Sequence, residues 1–322
     1  IEPSASGHII EQIDLIQRIL DAGFAYEING SVYFDVMKYH QRTHYGILSG
    51  RVLEDLIAGT RELDGQDEKR GPLDFALWKK AAPSHIMRWP SPWSDGFPGW
   101  HLECSTMSTK YLGKEFDIHG GGIDLKFPHH ECEIAQCVAG YDVSPAKYWM
   151  HANMLTINGQ KMSKSLGNSI LPHQLFAGDH PLLEQPYSPM TVRFFMLQTH
   201  YRSTLDLSNQ ALMAAARGYK KLANGLRLIK RLQHPGTGQE EGTGQADQQI
   251  NQLCDNCYHA MNDDFNTAKA IAHIFNILKK INSIHNGHLA LGELSKETFE
   301  RMRSTFLHFV EDILGLEEER PN

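Results

Sequence analysis

Apolar residues recur at helical spacing from the start of the chain. Ile9, Ile13, Ile16 and Leu20 define one face of a helix over residues 8–22, and Gly23 supplies its stop. A strand over residues 30–36 follows the Asn29-Gly30 turn. Between residues 39 and 70 the periodicity fades and charges accumulate. The compact pattern returns with GPLDFALWKK at residues 71–80, and WPSPW at 89–93 is too rich in proline for a helix. Residues 116–119 read as a strand that ends in a tight turn at Gly120, Gly121 and Gly122. From Pro128, HHECEIAQCVAG reads as a helix ending near Gly140. Residues 148–154 and 155–157 alternate as strands, and Asn158-Gly159 makes a turn. From residue 207 to about 316 the pattern is helical, broken at 234–245 by HPGTGQEEGTGQ, a tract with nothing to bury. The pattern predicts an α/β front followed by an α-helical bundle.

Composition narrows this further. A chain of 322 residues, 41% of them apolar, can bury a sizeable core in two or three domains. No stretch is apolar enough to span a bilayer, so the expectation is a soluble, cytoplasmic protein with no membrane partner. Five cysteines, Cys104, Cys132, Cys137, Cys254 and Cys257, are an odd and scattered set that suits a reducing compartment. The net charge of −7 argues against nonspecific coating of nucleic acid. Locally the balance reverses: residues 209–232 carry Arg217, Lys220, Lys221, Arg227, Lys230 and Arg231 with no acidic residue. Such a face either meets a phosphate backbone or is simply solvated. The chain opens at Ile1, as an internal fragment would.

The densest chemistry lies in residues 100–133. His129 and Glu133 are four apart, so both emerge on one face of the helix. With Cys104 they form a thiolate, imidazole and carboxylate set that suits zinc and leaves a position for an exogenous ligand. The same residues also read as a small core cysteine beside a solvated helix start. Residues 161–165, KMSKS, hold Lys161 and Lys164 three apart in a loop, which suits charge developing on a triphosphate but also a solvated surface. Cys254 and Cys257 lack a second pair and are expected to pack in a core, as are Trp78, Trp89 and Trp93.

PGWHLECSTM, FDIHGGGIDLKFPHHECEIAQ and KMSKSLGN, in that order and spacing, resemble the cysteinyl-tRNA synthetases, a class I aminoacyl-tRNA synthetase family. Weaker echoes run from Glu2 to about Ile277. The resemblance implies part of a Rossmann-type nucleotide-binding fold with a connective insertion, followed by a helical bundle. The implied domains are residues 1–99 (end of the first Rossmann half and insertion), 100–150 (second half), 151–206 (KMSKS loop and stem-contact region) and 207–322 (bundle). It implies that Cys104, His129 and Glu133 bind a Zn2+ that holds substrate cysteine by its thiolate, with Trp100 an aromatic wall and His119 beside the substrate. Gly120, Gly121, Gly122 and Asp124 would contact ATP, as would the loop Lys161, Met162, Ser163, Lys164 and Ser165. His119, Lys161 and Lys164 would act in catalysis, with ATP brought as its Mg2+ complex. The partners implied are cysteine, ATP and tRNA(Cys), and the protein is expected to be a monomer.

The chain departs from the family in two respects. Phe97 stands where an arginine or other polar residue is expected. A His-x-Gly-His signature and a preceding zinc-ligand cysteine are absent ahead of Lys161; His285-Asn286-Gly287-His288 fits the letters, but its place after KMSKS makes it an interhelical turn. The chain is therefore expected to lack an N-terminal segment and a C-terminal anticodon-binding part, and to be inactive alone. The alternatives are a ligase joining cysteine to an amino sugar through the same chemistry, or a non-catalytic tRNA-binding fragment.

Overall fold

Helix α1 spans Ile9–Asp21 and buries Ile9, Gln12, Leu15, Ile16 and Ile19. Ile13 and Leu20 pack only at the margin of the core, so the buried stripe is centred on Leu15 and Ile19, residues the initial pattern left out. Strands β1 (Ala25–Ile28) and β2 (Ser31–Phe34) are joined at Asn29 and Gly30, both at positive φ, as a tight two-residue hairpin requires. Asp35 caps α2 (Val36–Arg42) by accepting the Lys38 N–H. With β3 (Phe75–Lys80) and β4 (Gly96–Pro98) the strands form an antiparallel sheet in the order β1-β2-β3-β4. Trp78 is fully buried in it, Trp89 and Trp93 pack against the same core, and Phe97 stacks on His85 at 4.4 Å.

Helix α3 (Trp100–Leu112) starts where the chain leaves this sheet. The Gly99 N–H donates to the Leu77 carbonyl at 2.9 Å. A β-carbon on Gly99 would lie 2.2 Å from the Ala76 carbonyl oxygen, so the approach of α3 to β3 needs glycine. Strand β5 (Phe116–Gly122), helix α4 (Glu131–Tyr141) and strand β6 (Ala146–Ala152) form a βαβ unit with β5 and β6 parallel.

The three glycines do not form a turn. Gly120, Gly121 and Gly122 continue β5 and pair with Met150, His151 and Ala152; the chain turns only afterwards, in a 3-10 helix at Ile123–Leu125. At Gly121 the role is close approach, since a β-carbon there would lie 2.8 Å from the His130 ring. Pro128 precedes the regular helix, in a π-helical turn at Lys126–His130.

The chain divides into two units, Ile1–Ala152 and Asn153–Asn322, each with its own hydrophobic core. In the second, β7 (Leu155–Ile157) pairs antiparallel with β8 (Gln160–Lys161) and parallel with β9 (Leu205–Leu207). Short helices α5 (Pro172–Ala177) and α6 (Pro189–Leu197) lead to the bundle: α7 (Asn209–Arg231), α8 (Gln245–Asn262), α9 (Thr267–His285) and α10 (Lys296–Leu307). Ser208, Asn266 and Ser295 cap α7, α9 and α10 through their side chains. Cys254 and Cys257 are fully buried in this core, as expected of packing residues. Asn286 and Gly287 make the turn after α9, Gly287 at φ +74°. The architecture is α/β followed by a helical bundle, the class the sequence predicts.

This structure, a computed structural model, describes residues 1–53, 68–236 and 244–319. Residues 54–67 of the weakly periodic stretch and 237–243 of the glycine-rich tract lie outside the described residues, as does the side chain of Lys164. Among the described residues no helix is long and apolar enough to cross a membrane.

The contact between α3 and β3 yields a stability prediction. Gly99→Ala forces the Ala76 backbone aside and is expected to destabilise the first unit by about 2 kcal/mol, read as a lower urea midpoint with unchanged m-value.

Candidate functional site

Three elements of the first unit converge on one point. Cys104 projects from α3 one turn beyond its start, His129 from the π-helical turn before α4, and Glu133 from the first turn of α4. The Cys104 Sγ and one ligand atom each from His129 and Glu133 lie within 4.8 Å of one another. The i, i+4 spacing brings His129 Nε2 to 3.2 Å from Glu133 Oε1. His119, on β5, reaches the same oxygen at 3.5 Å and His130 lies at 4.0 Å. None of these contacts has hydrogen-bond geometry: Glu133 Oε1 and His129 Nδ1 are buried polar atoms without a hydrogen-bond partner. Unsatisfied buried donors and acceptors are costly, and a soft or borderline divalent cation accepts this nitrogen, oxygen and sulfur set.

The electrostatics agree. Burial alone would raise the Glu133 pKa, but His119 and His129 hold it below the ordinary carboxylate value. Burial, and secondarily the Glu133 and Glu103 carboxylates, push the Cys104 thiol up to about 12. A thiolate in this position therefore needs a cation beside it.

Sequence reasoning left out a second layer. His101 is pushed down to about 4 by burial, then by His129. Its Nδ1 lies 3.1 Å from Gln136 Nε2, whose side-chain oxygen accepts from Ser105 at 2.6 Å. His130 is also lowered to about 4, chiefly by burial, and its Nδ1 shares a hydrogen with His151 Nε2 at 2.9 Å. His119, His130 and Glu133 make an overlapping set within the same 4.8 Å limit. The only local signals were the WHLEC tryptophan–histidine pair and the histidine doublet; His151 and Gln136 gave none, because β6 and the back of α4 reach the site through the fold.

Trp100 is 64% exposed and sets its ring edge-to-face against His129 with centroids 4.5 Å apart, a wall with one open side. Gly120 and Asp124 are exposed and Gly121 and Gly122 half-buried, so the end of β5 offers backbone to a ligand.

The KMSKS segment belongs to the second unit. Lys161 ends β8 exposed, and the loop is closed by Asn168, which accepts the Ser163 N–H at 2.8 Å and donates to the Lys161 carbonyl at 3.1 Å. Ser163 and Ser165 hydroxyls are 3.0 Å apart, and the Ser169 hydroxyl donates to the Met162 sulfur at 3.6 Å. Asn168 is the loop's internal clasp, a role that spacing alone does not show. On α7, Arg227 and Lys230 are paired with Glu318 and Glu311, whereas Arg217, Lys220 and Lys221 line an open groove of about 580 Å³ with Asn224 and Phe275.

Comparison with known proteins gives this geometry a family. Residues 1–217 match the tRNA synthetases class I (C) catalytic domain, and residues 256–318 the DALR domain. The chain is 59% identical over 320 residues to a cysteine–tRNA ligase of Cytophaga hutchinsonii and 56% identical to one of Porphyromonas gingivalis. In each case the match covers 99% of this chain but only 64% and 63% of the relative. The chain thus spans a little under two thirds of the length of these relatives. Methionyl-tRNA synthetase of Mycobacterium tuberculosis, solved with methionyl-adenylate, shares the fold at a TM-score of 0.59 and 15% identity, over 97% of this chain and 72% of that one. With the catalytic-domain match covering two thirds of its length, the chain belongs to the class I tRNA synthetases, in the family that the (C) catalytic domain defines.

Proposed function

We propose that the protein carrying this chain is a cysteine–tRNA ligase, which activates cysteine with ATP to cysteinyl-adenylate and transfers it to tRNA(Cys). The observation that carries the proposal is the convergence of Cys104, His129 and Glu133, with unsatisfied buried atoms on the last two, in a chain of this family. These residues would hold a zinc ion, which when bound supplies a Lewis acid that prefers a thiolate to a neutral hydroxyl and so separates cysteine from serine. Trp100 and His119 border the amino acid. The backbone of exposed Gly120 and half-buried Gly121 and Gly122, followed by exposed Asp124, takes the nucleotide.

Adenylate formation needs no covalent enzyme intermediate: the substrate carboxylate attacks the α-phosphorus and pyrophosphate leaves. Rate then comes from positioning and from cations near the departing phosphates. Lys161 and Lys164 fill that role, with Met162, Ser163 and Ser165 forming the loop that Asn168 holds closed. The Mg2+ that accompanies ATP shares the phosphate charge. On the bundle, Arg217, Lys220 and Lys221, which line one groove and make no ion pair among the described residues, form the face offered to the tRNA backbone.

Two experiments test this, on the protein that carries the chain. Cys104→Ala and Lys164→Ala are each expected to lower cysteine-dependent ATP–pyrophosphate exchange by about 10²- to 10³-fold, and transfer of cysteine to an amino sugar but not to tRNA would overturn the assignment. Lys220→Glu with Lys221→Glu is expected to weaken tRNA binding and to reduce the slope of log K against log[salt] by about 1.4–1.8, measured by filter binding, with exchange unaffected.

A further inference from the structure

The buried carboxylate of Glu131 has no part in the chemistry above. It is 1% exposed and lies two residues from each of His129 and Glu133. Two residues along a helix is roughly 200° of rotation, so Glu131 points away from the face that carries the ligands. There it meets a loop 83 residues earlier in the chain. Its Oε2 accepts the Ser49 N–H at 2.9 Å and its Oε1 the Leu48 N–H at 3.4 Å.

Three further contacts join the same two segments. The Tyr45 hydroxyl is 3.5 Å from Cys132 Sγ, with both residues buried. The Tyr45 ring is edge-on to Phe127 at 6.4 Å, and the Arg51 guanidinium sits over the Phe127 ring at 4.5 Å. The loop is shaped to make these contacts. Gly46 has φ +104°, a β-carbon on it would lie 2.4 Å from the Arg51 carbonyl oxygen, and its own carbonyl accepts the Gly50 N–H at 2.8 Å. On the other side, Phe127 breaks the helical path at φ −143°, ψ 133°, so the turn carrying His129 is not held by a continuous helical ladder and takes its direction from outside.

We infer that Glu131 is a positioning residue: by binding the Leu48 and Ser49 amides, its carboxylate pins the rear of the turn that carries His129 and Glu133, so that loop 45–51 sets the aim of the metal ligands. The inference rests on the metal-site proposal. Glutamine at 131 keeps the volume but offers one acceptor oxygen for two N–H groups and removes the charge; proline at 49 removes the stronger donor and leaves Glu131 in place.

The test, on the protein that carries the chain, combines Co2+ titration, followed through the thiolate-to-cobalt band, with site-resolved iodoacetamide alkylation of its metal-free form read by mass spectrometry. Glu131→Gln is expected to weaken Co2+ binding by about ten- to a hundredfold, the effect of losing an outer-shell partner. It is also expected to speed Cys132 alkylation by about tenfold as the loop lifts, while Cys137, fully buried on the same helix, and Cys254 in the bundle stay protected. Ser49→Pro should reproduce both changes. An unchanged Cys132 rate overturns the inference, as does a Cys132 that opens while cobalt affinity stays within about twofold of the parent chain. If Cys137 opens together with Cys132 in Glu131→Gln, the unit has unfolded and Ser49→Pro decides. Absence of the thiolate band in the parent protein overturns the metal site itself and with it the positioning role, and the Cys132 rate still decides whether the carboxylate holds the loop.

Discussion

The candidate site of the first unit is centred on a carboxylate oxygen buried among imidazoles. Glu133 is 1% exposed, faces three imidazoles between 3.2 and 4.0 Å, and obtains a well-formed hydrogen bond at Oε1 from none. A buried charge of this kind costs several kcal/mol unless it is paired or ligates a cation. Proteins rarely carry such an arrangement at a site that only packs. Burial holds His101 and His130 below the ordinary imidazole range, so these two can support ligands as neutral rings, while His119 and His129 are the rings that lower the Glu133 carboxyl. The donor set is one a cation could accept, and in its outer layer Gln136 and His151 hold the His101 and His130 rings.

The backbone makes this convergence possible in an economical way. Two glycines sit where an ordinary residue would force elements apart. Gly99 lets α3, which carries Cys104, start against β3; Gly121 lets β5 pass the His130 ring. The parallel pairing of β5 with β6 then places His119 and His151 on neighbouring strands, both reaching the metal-ligand turn. The candidate ligands His129 and Glu133 and the accessible end of β5 thus share one βαβ unit, at the carboxyl end of a strand, where open α/β sheets bind ligands.

Much of this was legible in the sequence, and the parts that were not have a common cause. The i, i+4 relation of His129 and Glu133 is a property of any helix, so it could be read directly, and the caps at Asn266 and the turn at Asn286-Gly287 are equally local. The run of three glycines was misread as a turn because glycine signals both positive φ and close approach, and only the partner strand distinguishes them. Gly120, Gly121 and Gly122 lack positive φ; a β-carbon on Gly121 would meet the His130 ring and one on Gly122 the Asp124 carboxylate. The stripe on α1 was displaced because amphipathic spacing does not say which neighbouring face is deepest. Glu131 and its loop could not be found at all, since nothing in either segment announces a bond 83 residues long. The basic run on α7 looked uniform in sequence, and its division into neutralised and free cations depends on Glu311 and Glu318, which the bundle brings back from the far end of the chain.

The burial of the cysteines has a consequence for chemical durability. Cys132, Cys137, Cys254 and Cys257 are closed off, and only Cys104 is partly accessible. It is also the sulfur that burial and a neighbouring carboxylate keep protonated. Oxidants and disulfides attack through the thiolate, so the accessible sulfur, like the buried ones, is held by its surroundings in the less reactive protonated form. A cation bound beside Cys104 would activate the sulfur as a ligand and shield it at once, so that electrostatics rather than a lid would guard the one partly accessible thiol.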